Sequence, residues 1–178
     1  MIMYTLIIFI VICIVLIWII NTFNKYQSFL IRINEAEANI DTTLRKRFDL
    51  LNKSIGIIEE NTDEENVLEN IPKLRSKKLT NFDLDRQLYE SINEYSRYKE
   101  KYGKLKSNTD FLKIDLGINE TEAEIVALRR YYNDIITDYN KLNQTFPSNL
   151  VGIVCGYKKR TYFDGKNMDD DITNDFKL

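Results

Sequence analysis

Histidine is absent from the 178-residue chain. That single absence removes imidazole-activated Ser and Cys nucleophiles, HExxH zinc sites and the Glu-x-x-His pairs of di-iron bundles. Glycine and proline are scarce, at six and two. So few turn formers argue against an all-β fold, and so few glycines against a glycine-rich phosphate loop. Cysteine is limited to Cys13 and Cys155; the first falls in an apolar run, which leaves the second without a partner in the body. An excess of basic charge is missing as well: 25 Lys and Arg face 27 Asp and Glu, so a generally basic nucleic-acid binder is not indicated. What the chain does have is 44% hydrophobic residues, enough for a packed core in one domain of ordinary size.

No charge occurs before Lys25, and in Ile2 to Ile20 only Thr5 is clearly polar. A helix of about 20 residues crosses a hydrocarbon layer of about 30 Å, and in lipid the backbone must satisfy its own hydrogen bonds. Trp18 and Tyr26 fall near one end of the run, as interfacial rings do. A cleaved leader would have a basic start and a small-x-small site; neither is present, so an uncleaved anchor is expected. Lys25 and Arg32 follow the run with no basic residue ahead of it. The positive-inside bias then predicts a single-pass protein of the cell membrane, with its N-terminus outside and its body cytoplasmic.

Beyond the anchor, apolar residues recur every three or four positions. From Phe29 to Ile58 they mark a first helix, with Arg32, Arg45, Lys46 and Arg47 read onto its outer face. Thr62 and Glu65 resemble a capping box, predicting a short helix to about Leu79 interrupted at Pro72. A third stripe follows Asn81 and ends at Gly103, read as a left-handed C-cap. After the cap-like Ser107 to Asp110, a fourth stripe runs from Phe111 to Phe146 in steps of three and four, with Thr121 the one polar member. Such a heptad-like, coiled-coil pattern favours near-antiparallel packing along a long seam. Gly117 lies off that seam, and Pro147 stops the helix.

The expected architecture is therefore all-α: an anchor at 1–21, an antiparallel four-helix bundle with long first and last helices at 22–164, and a disordered acidic tail at 165–178. Helix parity adds a placement. Up in full, down half, up half and down in full returns Phe146 to the bilayer, and without a helix at 62–79 the parity would flip. Leu150, Val151, Ile153 and Val154 then become candidate membrane contacts, with Lys158, Lys159 and Arg160 beside anionic headgroups; packing of the apolar residues against the bundle base is the alternative.

Several residues carry a resemblance. Arg129-Arg130-Tyr131-Tyr132-Asn133-Asp134, Asp138-Tyr139-Asn140 and Phe146-Pro147-Ser148-Asn149-Leu150 resemble the closing signature of the LemA family. Gly156-Tyr157-Lys158 with Tyr162-Phe163, the stretch Ile33 to Leu50, and Lys104 to Leu112 are similar to further blocks of that family, in order, over roughly residues 26–164. Leu51-Asn52-Lys53-Ser54-Ile55 departs from the family's usual Ile-Pro-Asn-Leu-Val. The resemblance implies an N-terminal anchor and a helical bundle, and it implies no reaction.

Candidate sites are few. Glu35, Glu37 and Asp41 invite a metal or acid–base reading, but neighbouring Arg45 and Arg47 favour ion pairing. Arg129, Arg130, Asn133, Asp134 and Asn140 form a polar set that serves either partner binding or helix register. Lys73, Arg75, Lys77 and Lys78 read as an exposed face, and Cys155 as an inert thiol. No cofactor or metal is implied. A non-enzymatic scaffold or interaction protein is expected, in contact with the bilayer and with a protein partner or another copy of itself. The alternative is an adaptor or regulatory subunit of another membrane protein, such as a membrane protease or a secretion complex.

Overall fold

The computed structural model describes residues 2–74 and 77–163; the tail expected at 165–178 lies outside them. Every regular element among the described residues is helical: α1 (Ile2–Asn61), α2 (Asn70–Leu74), α3 (Asn81–Lys101), a 3-10 turn (Gly103–Ser107), α4 (Thr109–Gln144) and α5 (Ser148–Val154). α1 holds neither proline nor glycine before Gly56, so nothing in its sequence breaks it. Its first third is long and apolar enough to cross a membrane, and none of that apolar window is buried. The chain divides into two compact units, residues 1–35 with 132–178, and residues 36–131.

In the 36–131 unit the core comes from three helices. Ala36, Ile40, Leu44, Leu51 and Ile58 of α1, Leu88 and Tyr95 of α3, and Phe111, Ile118 and Ile125 of α4 are all buried. Each fully buried aliphatic side chain here is worth about 1.5–3 kcal/mol. The Tyr95 ring stacks on Phe111 at 5.1 Å, and Lys99 reaches Asp115 at 2.7 Å. Thr80 caps α3 by accepting from the Asp83 amide, and Asn108 caps α4 by accepting from Asp110 and Phe111. Gly117 has a packing role that its off-seam position concealed: a Cβ there would come within 3.0 Å of the Leu50 side chain.

The expected helix at 62–79 shrinks to the five residues of α2. Thr62 does not cap it; its hydroxyl instead bonds back to the Ile58 carbonyl at the end of α1. The chain nevertheless retraces its path. Glu64 meets Lys101 and Tyr102, the Leu68 amide donates to Glu94, and the Asn81 amide donates to the Glu37 carbonyl. Bends and turns advance farther per residue than a helix does, so residues 62–80 cover the distance with little helix. Gly103 is also corrected. α3 ends at Lys101, Tyr102 is extended, and the one glycine with positive φ among those described is Gly156, at 72°.

In the other unit, Tyr26 and Ile33 of α1, Tyr132, Ile135, Ile136 and Tyr139 of α4, and Val151 of α5 form the core. Phe146, expected on the seam, is exposed, because α4 ends at Gln144.

Candidate functional site

Tyr26 organises the unit that follows the apolar run. Its buried hydroxyl lies 3.1 Å from the Leu142 carbonyl and 3.3 Å from that of Ser148, with Asn143 Oδ1 at 3.4 Å. Its ring meets Tyr139 edge-on at 5.9 Å and lies against Tyr157 at 4.6 Å. Tyr157 is held further by the Gln27 amide, which donates to its hydroxyl at 2.7 Å, and by Phe23. Burial pushes the Tyr26 hydroxyl above its ordinary pKa, so it stays a protonated donor. Gly152 is what lets α5 approach: a Cβ there would sit 2.5 Å from Asn143 Oδ1 and 2.7 Å from Tyr26 Oη.

This seat decides the fate of the predicted membrane contacts. Val151 is buried against the unit's core and is removed from that set, because the turn that carries Gly152 to Tyr26 also turns Val151 inward. Leu150, Ile153 and Val154 occupy the opposite face, the last two 74% and 87% exposed. Lys158, Lys159 and Arg160 are exposed too.

Residues 158–163 have no strand or helix partners, and α4 side chains satisfy their backbone instead. The Tyr139 hydroxyl donates to the Lys158 carbonyl at 3.0 Å. Asn140 donates to the Arg160 carbonyl at 2.8 Å and accepts from the Arg160 amide at 2.9 Å. Asn133 accepts from the Phe163 amide, and Thr137 pairs with the Tyr162 hydroxyl. Two members of the polar set, Asn133 and Asn140, thus hold this segment, while Asp134 is exposed.

The remaining members, Arg129 and Arg130, belong to the 36–131 unit. Arg130 is exposed, whereas Arg129 pairs with Asp85. The other oxygen of Asp85 faces Arg47 at 3.3 Å, and Arg47 also binds Glu122 at 2.7 Å and Thr121 at 3.3 Å. Placing Arg47 on the outer face was wrong: it is 1% exposed. Burial holds its guanidinium below the usual arginine pKa, with Glu122 pulling the other way. Two signals for this network were in the sequence. Arg47 continues the stripe three residues past Leu44 and four before Leu51, and Thr121 is the polar break in the fourth-helix seam. Asp85 and Glu122 gave none.

Arg45 pairs with Asp41 at 2.7 Å across one exposed helical turn, in line with the ion-pairing reading. Both line an open cleft of about 660 Å³ with Phe48, Leu74, Lys77 and Leu84. Lys73 pairs with Glu69; Lys77 and Lys78 are exposed; Arg75 lies outside the described residues. Cys155 is exposed and in no disulfide. Among the described residues, no group of three or more Cys, Asp or Glu could hold a metal ion.

The model of one protein family, the LemA family, matches residues 36–176. No curated protein matches the chain.

Proposed function

The chain belongs to the LemA family, and from that premise we propose that it is a single-pass membrane protein whose helical body acts as a non-enzymatic scaffold for other proteins. One observation carries this reading. The polar residues that would be candidates for chemistry are engaged in holding the fold: Arg47 and Asp85 in a buried ion pair that Arg129 joins from the half-exposed side, Asn133 and Asn140 on the backbone of the last segment. The exposed helix faces are left as the surfaces available to partners.

The body lies on the cytoplasmic side of the cell membrane. Lys25 and Arg32 follow the apolar run, and Lys158, Lys159 and Arg160 join the same unit, giving the positive charge that retains a flank in the cytoplasm. Protease added to intact cells therefore leaves the body uncut; digestion without permeabilisation overturns the orientation. The scaffold reading is tested by purification in mild detergent with crosslinking. Self-association, or several substoichiometric partners, supports it. A single stoichiometric membrane partner makes the protein an adaptor subunit instead, and a bound metal found by elemental analysis returns carboxylate chemistry to consideration.

A further inference from the structure

An apolar edge and a field of one charge coincide just past the span. α5 seats Gly152 against Tyr26, and Thr22, one turn nearer the apolar run on the same face, is buried as well. At about 1.5 Å per residue, Thr22 to Tyr26 begins within one turn of Ile20, the last residue of that run. At this level α5 turns outward Leu150, Ile153 and Val154, spaced i, i+3, i+4. Facing water, such a stripe is costly; facing the acyl–headgroup boundary, it is not.

The charge pattern identifies what covers it. Residues 2–34 and 141–163 contain Lys25, Arg32, Lys141, Lys158, Lys159 and Arg160 and not one Asp or Glu. Glu35, Asp138 and Asp164 bound these stretches, and in a chain with a net charge of -2 the stretches form a local field of positive sign. A field of this sign matches anionic lipid headgroups, where each basic residue near the surface adds to binding.

We propose that α5 is a membrane foot: its Leu150–Ile153–Val154 edge lies in the interface of the bilayer that α1 spans, and Lys158, Lys159 and Arg160 bind anionic headgroups. The occupant is lipid, not protein. The fold supplies the pressure that holds the foot down, because Tyr26, Tyr139 and Asn140 fix α5 and the following segment to α1 and α4. The unit of residues 1–35 and 132–178 is thereby attached to the bilayer at two points, the span and the foot. The inference rests on the reading of Ile2–Ile20 as a span, and it holds whichever side of the membrane the body occupies.

The test uses the full chain in liposomes of phosphatidylcholine with phosphatidylglycerol. In a Cys13→Ser, Cys155→Ser background, spin labels are placed through Ile153→Cys and Asp134→Cys, and a third variant restores Cys13. Ile153 is largely exposed, so its replacement leaves the Gly152–Tyr26 seat intact. Collision with oxygen, which partitions into lipid, is compared with collision with a water-soluble nickel complex. Labels at 13 and 153 are expected to favour oxygen several-fold over the label at 134. Removing phosphatidylglycerol, or Lys158→Gln with Lys159→Gln and Arg160→Gln, is expected to lower the ratio at 153 and leave 13 unchanged. Nickel access at 153 equal to that at 134 overturns the foot, and so does shielding from both reagents, which marks a protein cover. Nickel access at 13 overturns the span and the foot together, whereas a lipid signal at 13 without one at 153 overturns the foot alone.

Discussion

The two units of the chain bury polarity in opposite ways. The 36–131 unit buries charge, with Arg47, Asp85 and Arg129 joined across three helices. The unit made by residues 1–35 and 132–178 buries neutral hydroxyls and amides, at Thr22, Tyr26, Tyr139 and Asn140, and among its described residues no Lys, Arg, Asp or Glu is buried. The difference follows the task in each case. Helices that already satisfy their own backbones are free to use a buried ion pair to fix register, since a one-turn slip would strand an unpaired charge. The segment 158–163 makes no backbone–backbone bond among the described residues, and side chains of α4 take the Lys158 and Arg160 carbonyls and the Arg160 and Phe163 amides. A neutral amide, which donates and accepts at once, does this without the desolvation penalty of a charge.

Breaking the charged side of the comparison has the largest expected effect. Arg47→Ala takes from Glu122 its partner, leaves Asp85 to Arg129 alone and opens a large void, at a cost of about 3–5 kcal/mol. Arg45→Ala, two positions away and solvated, leaves stability nearly unchanged. Denaturant titration of the two variants in the same detergent measures the gap, and equal midpoints would refute the buried network. Ile125→Ala, in the same core, follows at about 2–5 kcal/mol. Glu124→Ala, on the exposed face, stays within about 0.5 kcal/mol. Comparable losses at 124 and 125 would mean that α4 faces the other way.

Much of this contrast could be read from the sequence, and where it could not the cause is physical. Apolar spacing located α1, α3 and α4, because a helix has to bury one stripe and the stripe repeats every 3.6 residues. Spacing reports position on a face, however, and not the chemistry of the neighbour. Arg47 falls on the stripe by spacing, although arginine is rarely buried; Asp85, 38 residues away, and Glu122 explain its place. The 62–79 segment failed for a different reason. Its capping signal was local, while its path is set by long-range contacts to Glu94, Lys101 and Glu37. Asn140 was recognised as polar and grouped with Asn133, but nothing in spacing said that both amides serve the backbone of residues 160 and 163.

The neutral side breaks more gently. Asn140→Ala removes both bonds to Arg160 and should cost about 1–3 kcal/mol. Hydrogen exchange gives a direct reading, since the Arg160 amide loses its acceptor. At about 1.4 kcal/mol per factor of ten, its protection falls by about tenfold or more, while the Phe163 amide, held by Asn133, changes less. Gly152→Ala forces Asn143 and the Tyr26 hydroxyl aside and should cost about 1–3 kcal/mol by overpacking. Lifting of α5 should then show as faster exchange at the Tyr157 amide, which bonds the Gly152 carbonyl at 2.9 Å. Unchanged exchange there would mean that the seat tolerates a methyl group.

The smallest effect lies at the rim of the charged unit, where Glu64 meets Lys101 and Tyr102 in partial exposure. The hydrogen bond from Lys101, then that from Tyr102, hold the Glu64 carboxyl below its ordinary value of 4.5. The sign of the linkage is fixed by that direction. With the native pKa depressed, the unfolded state binds the proton first, so the contribution of Glu64 is fully present above pH 4.5 and is lost as pH falls through the native value. Glu64→Gln should therefore leave stability at pH 7 nearly unchanged or slightly lower, and flatten the acid limb of the stability profile below pH 4.5. Arg47→Ala should instead lower the whole profile, because the guanidinium is charged throughout that range. Melting temperatures of the two variants and the parent between pH 3 and pH 7 distinguish a displaced curve from a flattened one. An acid limb that keeps its slope in Glu64→Gln would mean that this surface pair contributes nothing.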